Sequence, residues 1–439
     1  MSPHPAPTPL AVSCATLRRA VWSCLTVGFV VIGLSGCRGE RTLAPETTTA
    51  DSLTALPRAL SAAEQHAVAA SNGFAIGLFQ QLLSATPSEN VVLSPLSASV
   101  ALGMTMHGAA AGTRSAMRAT LGLSPSASDA EVAGGYRDLQ RLLPTLDSSV
   151  TMTSANAIWY RQGFPFDAGY LKATTDYFGA TVTGADFAAP STLAAINGWA
   201  NSATNGRIPR VLESIQSQQV MFLLNALYFK GAWRTRFNTA ETYSSSFRQG
   251  NGQTVAVPFM TRTGGSGVRF RATDRYSALE LPYGNGAFVM DLFVPADGVP
   301  LTELITTLAG TGWQQAVDAM TPAPSVSIAL PRFRVNTTAQ LKAPLSALGM
   351  GVAFAPGAAD FTGMSPTRGK ELYIDFVKQD AMIEVTEVGT TAAAVTTIGI
   401  GVTSAGPGFR ADRPFLFAIR ERLSNTMLFV GAVQQITPF

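Results

Sequence analysis

The sequence predicts an α+β fold with large antiparallel sheets. Helical periodicity is concentrated in the first third of the chain, and strand-like alternation dominates from Val220 onward. No fixed-period repeat appears, which argues against a solenoid or propeller. With 439 residues, 46% of them hydrophobic, the chain has apolar material for a large core.

The elements follow in order. Ser61 is placed to cap a helix running to about Leu83, with Phe74, Leu78 and Leu82 on one face. The stretch 94–110, SPLSASVALGMTMHGAA, reads as a helix opened by proline and carrying a face of small residues. Residues 151–160 alternate like a strand, and 166–180 have helical spacing. Another helix, in STLAAINGWANSATNGRI, is stopped by Asn205-Gly206. Strands are expected at 220–230, 243–248, 254–260, 276–282, 286–294 and 325–335. A helix near 338–348 interrupts them before further strands at 371–388, 413–421 and 426–434.

Charge and motifs exclude several functions. Only 13% of residues are charged, and the net charge is +3, so there is no electrostatic footprint for nucleic acid. His4, His66 and His107 are scattered and lack metal-ligand spacing. No phosphate-binding loop, dinucleotide fingerprint or nucleophile elbow is present. Asp274, Glu280 and Asp291 read as surface or salt-bridge carboxylates. No cofactor, metal or enzymatic activity is expected.

At the N-terminus, Arg18-Arg19 precede an apolar stretch from Ala20 to Gly33, then Leu34-Ser35-Gly36-Cys37. A positive segment, a short apolar segment and small residues make an export signal over 1–36, too short for a comfortable membrane span. The tetrapeptide LSGC is similar to a bacterial lipobox, which implies lipid attachment at Cys37 and a chain exported to the cell envelope, outer membrane or exterior. Cys14 and Cys24 would leave with the signal, so the mature chain would hold no intramolecular disulfide. Residues 37–60, rich in Thr, Ala, Pro and Glu, read as a flexible tether ahead of one domain over 61–439.

One stretch fits neither an ordinary strand nor a linker. From Val388 to Phe409 there is no charged residue, and proline is absent from Glu384 to Gly406. Surface loops normally accept both.

Together these residues resemble the serpin family over about 72–438. The resemblance is carried by NVVLSPLSASVALGMTMHGAAAGTRSAM, SANAIWYRQGFPF, INGWANSATNGRI, LLNALYFKGAWRTRF, LELPYGNGAFVMDLFVP, LPRFRV, ADFTGM, IEVTEVGTTAAAVT and ADRPFLFAIRERLSNTMLFVGAV, in collinear order. It implies one unit of three β-sheets with eight to nine helices and an exposed reactive-centre loop. It further implies a monomeric suicide inhibitor of serine endopeptidases, whose cut loop enters the main sheet while still acylating the protease.

Such entry needs small, uncharged, proline-free residues. The hinge Gly389, Thr390, Ala392, Ala393 and Ala394 meets that demand, with Glu387 at its start. Thr390, Ala392, Ala394, Thr396, Ile398 and Ile400 share one face under period-two alternation. Family spacing forward from Gly389 and back from Pro414 both imply a scissile bond at Thr403–Ser404. A small β-branched residue there suits an elastase-like or subtilisin-like pocket rather than one that selects Arg or Lys.

The resemblance also implies control residues. Ser94, Pro95, Ser97 and Asn225 match the region beneath the sheet where strands part, and helix capping is the plain alternative. Trp233 and Glu387 match the point of first entry. Gln379 stands where many members place a histidine, which gives hydrogen bonding without titration near neutral pH. The alternative reading is a non-inhibitory member acting as a binding or chaperone-like protein.

Overall fold

The computed structural model describes residues 51–390 and 408–439. The export signal, Cys37, Ala392, Ala393, Ala394, Thr403 and Ser404 lie outside the described residues. Among those described, nine α-helices accompany three sheets of seven, four and six strands.

Local chemistry accounts for the helix starts. Ala62–Ala85 begins at Ser61, whose hydroxyl accepts from the Glu64 amide while the Glu64 carboxylate accepts from Ser61 N at 2.8 Å, closing a capping box. Ala168–Phe178 is capped by Asp167 and ends at Gly179 in the left-handed conformation. Pro95–His107 has proline in its first turn and is buried on nearly every side. Ala111–Thr120 and Asp129–Leu142 are helices beyond those read from periodicity. The second carries its own capping box at Ser128 and Glu131, a Ser-x-x-Glu signal present in the sequence.

The seven-stranded sheet contains Phe288–Pro295 and Phe415–Glu421, both buried along their whole length. Glu280 and Asp291, opposite one another on adjacent strands, are fully buried there and share Arg420; its Nε donates to Asp291 Oδ2 at 2.6 Å. Burial, reinforced by Asp291, pushes the Glu280 carboxyl above its ordinary range.

The six-stranded sheet runs in the order Phe333–Gln340, Lys378–Val385, Gly389–Thr390, Met221–Ala232, Val150–Arg161, Thr181–Ala185. The strand expected over 325–335 is divided between sheets. Ser327–Pro331 belongs to the four-stranded sheet and Phe333–Gln340 to the six-stranded one. Arg332 stands at the crossing, its amide donating to Pro258 O at 2.9 Å.

The end of the expected tether lies against the body. Leu53 N donates to Asn285 O at 3.1 Å, Arg422 Nη2 donates to Leu53 O at 2.7 Å, and Arg58 pairs with Glu64. Leu53, Leu56 and Leu60 pack against the core. These three leucines give the segment apolar surface to bury, which the composition of 37–60 as a whole conceals.

Candidate functional site at the seam of the six-stranded sheet

Among the described residues, no backbone register joins Lys378–Val385 directly to Met221–Ala232. Gly389–Thr390 stands between them, antiparallel to both, with Thr390 opposite Val385 on one side and Gly231 on the other. The chain reaches this position through a tight reversal. Thr386 N donates to Gly389 O at 2.9 Å and Gly389 N to Thr386 O at 3.2 Å, leaving Glu387 and Val388 as a two-residue loop. The strand expected over 371–388 therefore stops at Val385. Gly389, at φ +155°, is needed for close approach: a Cβ there would lie 2.0 Å from Gly231 O.

Trp233 and Tyr283 hold this upper end. Both are fully buried and their rings stack at 4.5 Å. Trp233 Nε1 donates to Thr386 O and its amide to Val388 O, each at 2.8 Å. The Tyr283 hydroxyl meets Thr390 Oγ1 at 2.6 Å, and burial drives the phenol far above its ordinary range, so it stays protonated. Glu387 is buried too. Arg332 Nε donates to its two oxygens at 2.8 and 2.9 Å, and Thr242 Oγ1 donates to Oε1 at 2.6 Å. A buried carboxylate with a guanidinium and a hydroxyl as partners fixes the reversal in place.

At the lower end, two groups flank the seam beside a cavity of about 240 Å³ lined by Ser97, Asn225 and Gln379 among others. Ser97 bonds Asn225, and Asn225 Nδ2 donates to Asn156 Oδ1. Asn156 Nδ2 donates to Phe178 O at 2.6 Å and Gln140 Oε1 at 3.1 Å. On the other side, Gln379 clasps the main chain of Ser94: its Oε1 accepts from Ser94 N and its Nε2 donates to Ser94 O, both at 2.9 Å. The Ser94 hydroxyl caps no helix amide, so simple capping does not describe it, whereas Pro95 occupies the first helical turn.

The structure thus gathers Glu387, Gly389, Thr390 and Trp233 at one end of the seam, and Ser94, Ser97, Asn225 and Gln379 at the other. Sequence reading missed their partners Arg332, Thr242, Tyr283 and Asn156. Arg332 and Tyr283 carried a signal, a cation directly after Pro331 and a tyrosine before the turn Gly284-Asn285-Gly286; Thr242 and Asn156 carried none.

The six-stranded sheet is thus parted at one seam, and the two-residue strand Gly389–Thr390 occupies the head of the gap. This chain belongs to the serpin family: the model described as Serpin (serine protease inhibitor) matches residues 69–436. It is 31% identical to glia-derived nexin of Rattus norvegicus over 372 residues, covering 82% of this chain and 91% of that protein. It is also 31% identical over 433 residues to an uncharacterized serpin-like protein of Thermococcus kodakarensis, covering 94% and 98% of the two chains. The thermophilic serpin Tengpin in its native state superposes with a TM-score of 0.74 at 28% identity, covering 90% of this chain and all of that one. Membership supports serine protease inhibition in general rather than catalysis.

Proposed function

We propose that this protein is a suicide inhibitor of serine endopeptidases with elastase-like or subtilisin-like specificity. The observation that carries the reading is the two-residue rung Gly389–Thr390 between otherwise unjoined strands, followed by chain that has neither charge nor proline as far as Gly406. The protease serine oxygen attacks the Thr403 carbonyl carbon. The Thr403–Ser404 C–N bond breaks, the amine of Ser404 leaves with a proton from the protease's general acid, and Thr403 is held as an ester.

Loop entry then competes with hydrolysis of that ester. The rung sets the register: each residue beyond Thr390 pairs one position further down both strands. Continued, this brings Ala392 opposite Phe229 and Ile383, and Thr396 opposite Asn225 and Gln379. Thr396 of the inward face then meets the polar pair of the seam, Ala392, Ala394 and Ile398 meet apolar positions, and Ile400 falls opposite Met221 and Asp375. The thirteen residues after Thr390, through Thr403, extend roughly 43 Å, enough to carry the acylated protease along the strands.

The inhibitor acts as a monomer, exported and held to the envelope by lipid on Cys37. No described helix is long and apolar enough to cross a membrane. Incubation with a panel of serine proteases tests the function. An SDS-stable complex with an elastase or subtilisin, with the new terminus mapped by mass to Ser404, is expected. Clean turnover of the loop by every protease, with no complex and no rise in melting temperature, overturns inhibition in favour of a binding or chaperone-like role.

A further inference from the structure

The N-terminal strap and the hinge meet the same turn. Tyr283–Ala287 joins two strands of the seven-stranded sheet and is closed by Gly286 N donating to Tyr283 O at 2.6 Å. The strap holds it through Leu53 N, which donates to Asn285 O at 3.1 Å. Arg422 bridges the two, its Nη2 donating to Leu53 O at 2.7 Å and its Nε to Gly286 O at 2.9 Å. The body supplies a second anchor, Asp147 Oδ2, which accepts from Asn285 N at 2.7 Å. On the seam side, Gly284 N donates to Ala232 O at 3.0 Å, Tyr283 stacks on Trp233, and its hydroxyl bonds Thr390. Direct contacts therefore run without a break from Leu53 through Asn285 and Tyr283 to Thr390.

We propose that the Tyr283–Ala287 turn couples the strap to the hinge, so that the hold of residues 53–60 on the body sets how firmly Thr390 is kept as the first rung. Gly284 leaves the turn little freedom to adjust privately: at φ +39° it sits so close to Asp147 and Ser149 that a Cβ would lie 2.2 and 2.1 Å from their oxygens. A shift of Asn285 is passed on to Tyr283. Because Asp147 remains as an anchor, releasing the strap loosens the turn without dissolving it. In a chain tethered through its N-terminus, cleavage or tension on the segment before Ala62 is then felt at the hinge. The regulatory consequence rests on the inhibitor reading, whereas the coupling itself does not.

Hydrogen–deuterium exchange read by mass spectrometry on the full mature chain tests it. Arg422→Gln, which removes the bridge to Leu53 together with the bond to Gly286 O, should raise exchange about fivefold in peptides covering Trp233 and Thr386–Thr390, the equivalent of about one net hydrogen bond transmitted to the hinge. Peptides from Phe333–Gln340 should be unchanged. Leu53→Pro, which deletes the amide that Asn285 accepts from, should do the same without touching Arg422. In a Thr390→Val background, where the hydroxyl link is already gone, either change should add less than about twofold. Faster exchange confined to the turn, or full additivity with Thr390→Val, overturns the proposal. The readout needs no protease, so a panel that yields no covalent complex would sink the inhibitor reading and leave this result standing.

Discussion

Replacing Thr390 by arginine puts a guanidinium where the structure accommodates only a methyl and a hydroxyl group. Thr390 is 1% exposed, between Val385 and Gly231, with its hydroxyl on Tyr283. The nearby acid Glu387 is already held by Arg332 and Thr242, so the new charge has no ready partner. Desolvating an unpaired cation costs several kcal/mol, and leaving the Tyr283 hydroxyl unpaired costs about 1–3 more. Even a total of about 4 kcal/mol slows entry of the hinge by roughly a thousandfold. Loop entry races ester hydrolysis, so Thr390→Arg should turn an inhibitor into a substrate. The uncleaved body should melt nearly as before, because the hinge can stay outside the seam and forfeit only its first rung. The assay is the yield of SDS-stable complex per mole of inhibitor against the most reactive protease of the panel, with melting curves before and after loop cleavage. Unchanged complex yield together with an unchanged rise in melting temperature on cleavage would refute the reasoning.

Three further outcomes are expected. Glu387→Ala leaves Arg332 buried without its counter-charge and should lower stability by about 3–5 kcal/mol in denaturant titrations; a loss below about 1 kcal/mol would contradict the buried pairing. Gln379→His should introduce a pH dependence that the native amide lacks. Neutral imidazole can accept from Ser94 N through one ring nitrogen, although its diverging nitrogens cannot also reach Ser94 O as the amide does, whereas the protonated ring has no acceptor for Ser94 N. Its folded-state pKa is therefore depressed, and the stability it contributes above about pH 6.5 should fall away as pH drops through that value, read as a melting temperature that parts from wild type between pH 7 and 5. Cys37→Ala should abolish incorporation of labelled palmitate and free the protein from the membrane fraction; palmitate still incorporated in the variant would remove the proposed anchor.

Much of the fold was legible because its elements announce themselves locally. Ser61 with Glu64, Pro95, and Asp167 with Gly179 each mark a helix boundary by a hydrogen bond or a backbone restriction within a few residues. The reversal at 386–389 was not legible, since Val385, Thr386 and Val388 all favour strands and nothing local demands a turn. What requires it is tertiary: Gly389 fits against Gly231 only without a side chain. The divided strand at Arg332 has the same origin, because the buried partner of that arginine, Glu387, lies 55 positions away. The seam residues on the helix Pro95–His107 and its two neighbouring strands were visible through family resemblance. The side chains completing each hydrogen-bond set, Asn156 and Thr242 above all, depend on contacts that no spacing encodes.

The side-chain bonds at the lower seam explain how the two strands stand apart. Asn225 is bonded to Ser97 and Gln379 to Ser94, and both serines lie at the start of the same helix. Each strand is fixed to this common post; among the described residues no side-chain bond links Asn225 to Gln379. Widening the seam therefore breaks no bond between these groups. What the seam lacks between the strands is main-chain pairing, and an entering antiparallel strand supplies it on both edges at once. On the inhibitor reading proposed above, the drive for insertion would reside mainly in the backbone, and the loop's side chains would have chiefly to avoid opposing it. A charge would have to be desolvated, a proline would delete a donor, and a bulky residue at Gly389 would strike Gly231. A segment selected under those prohibitions need not be strongly hydrophobic. It has to be small, uncharged and free of proline, the composition found from Gly389 to Gly406.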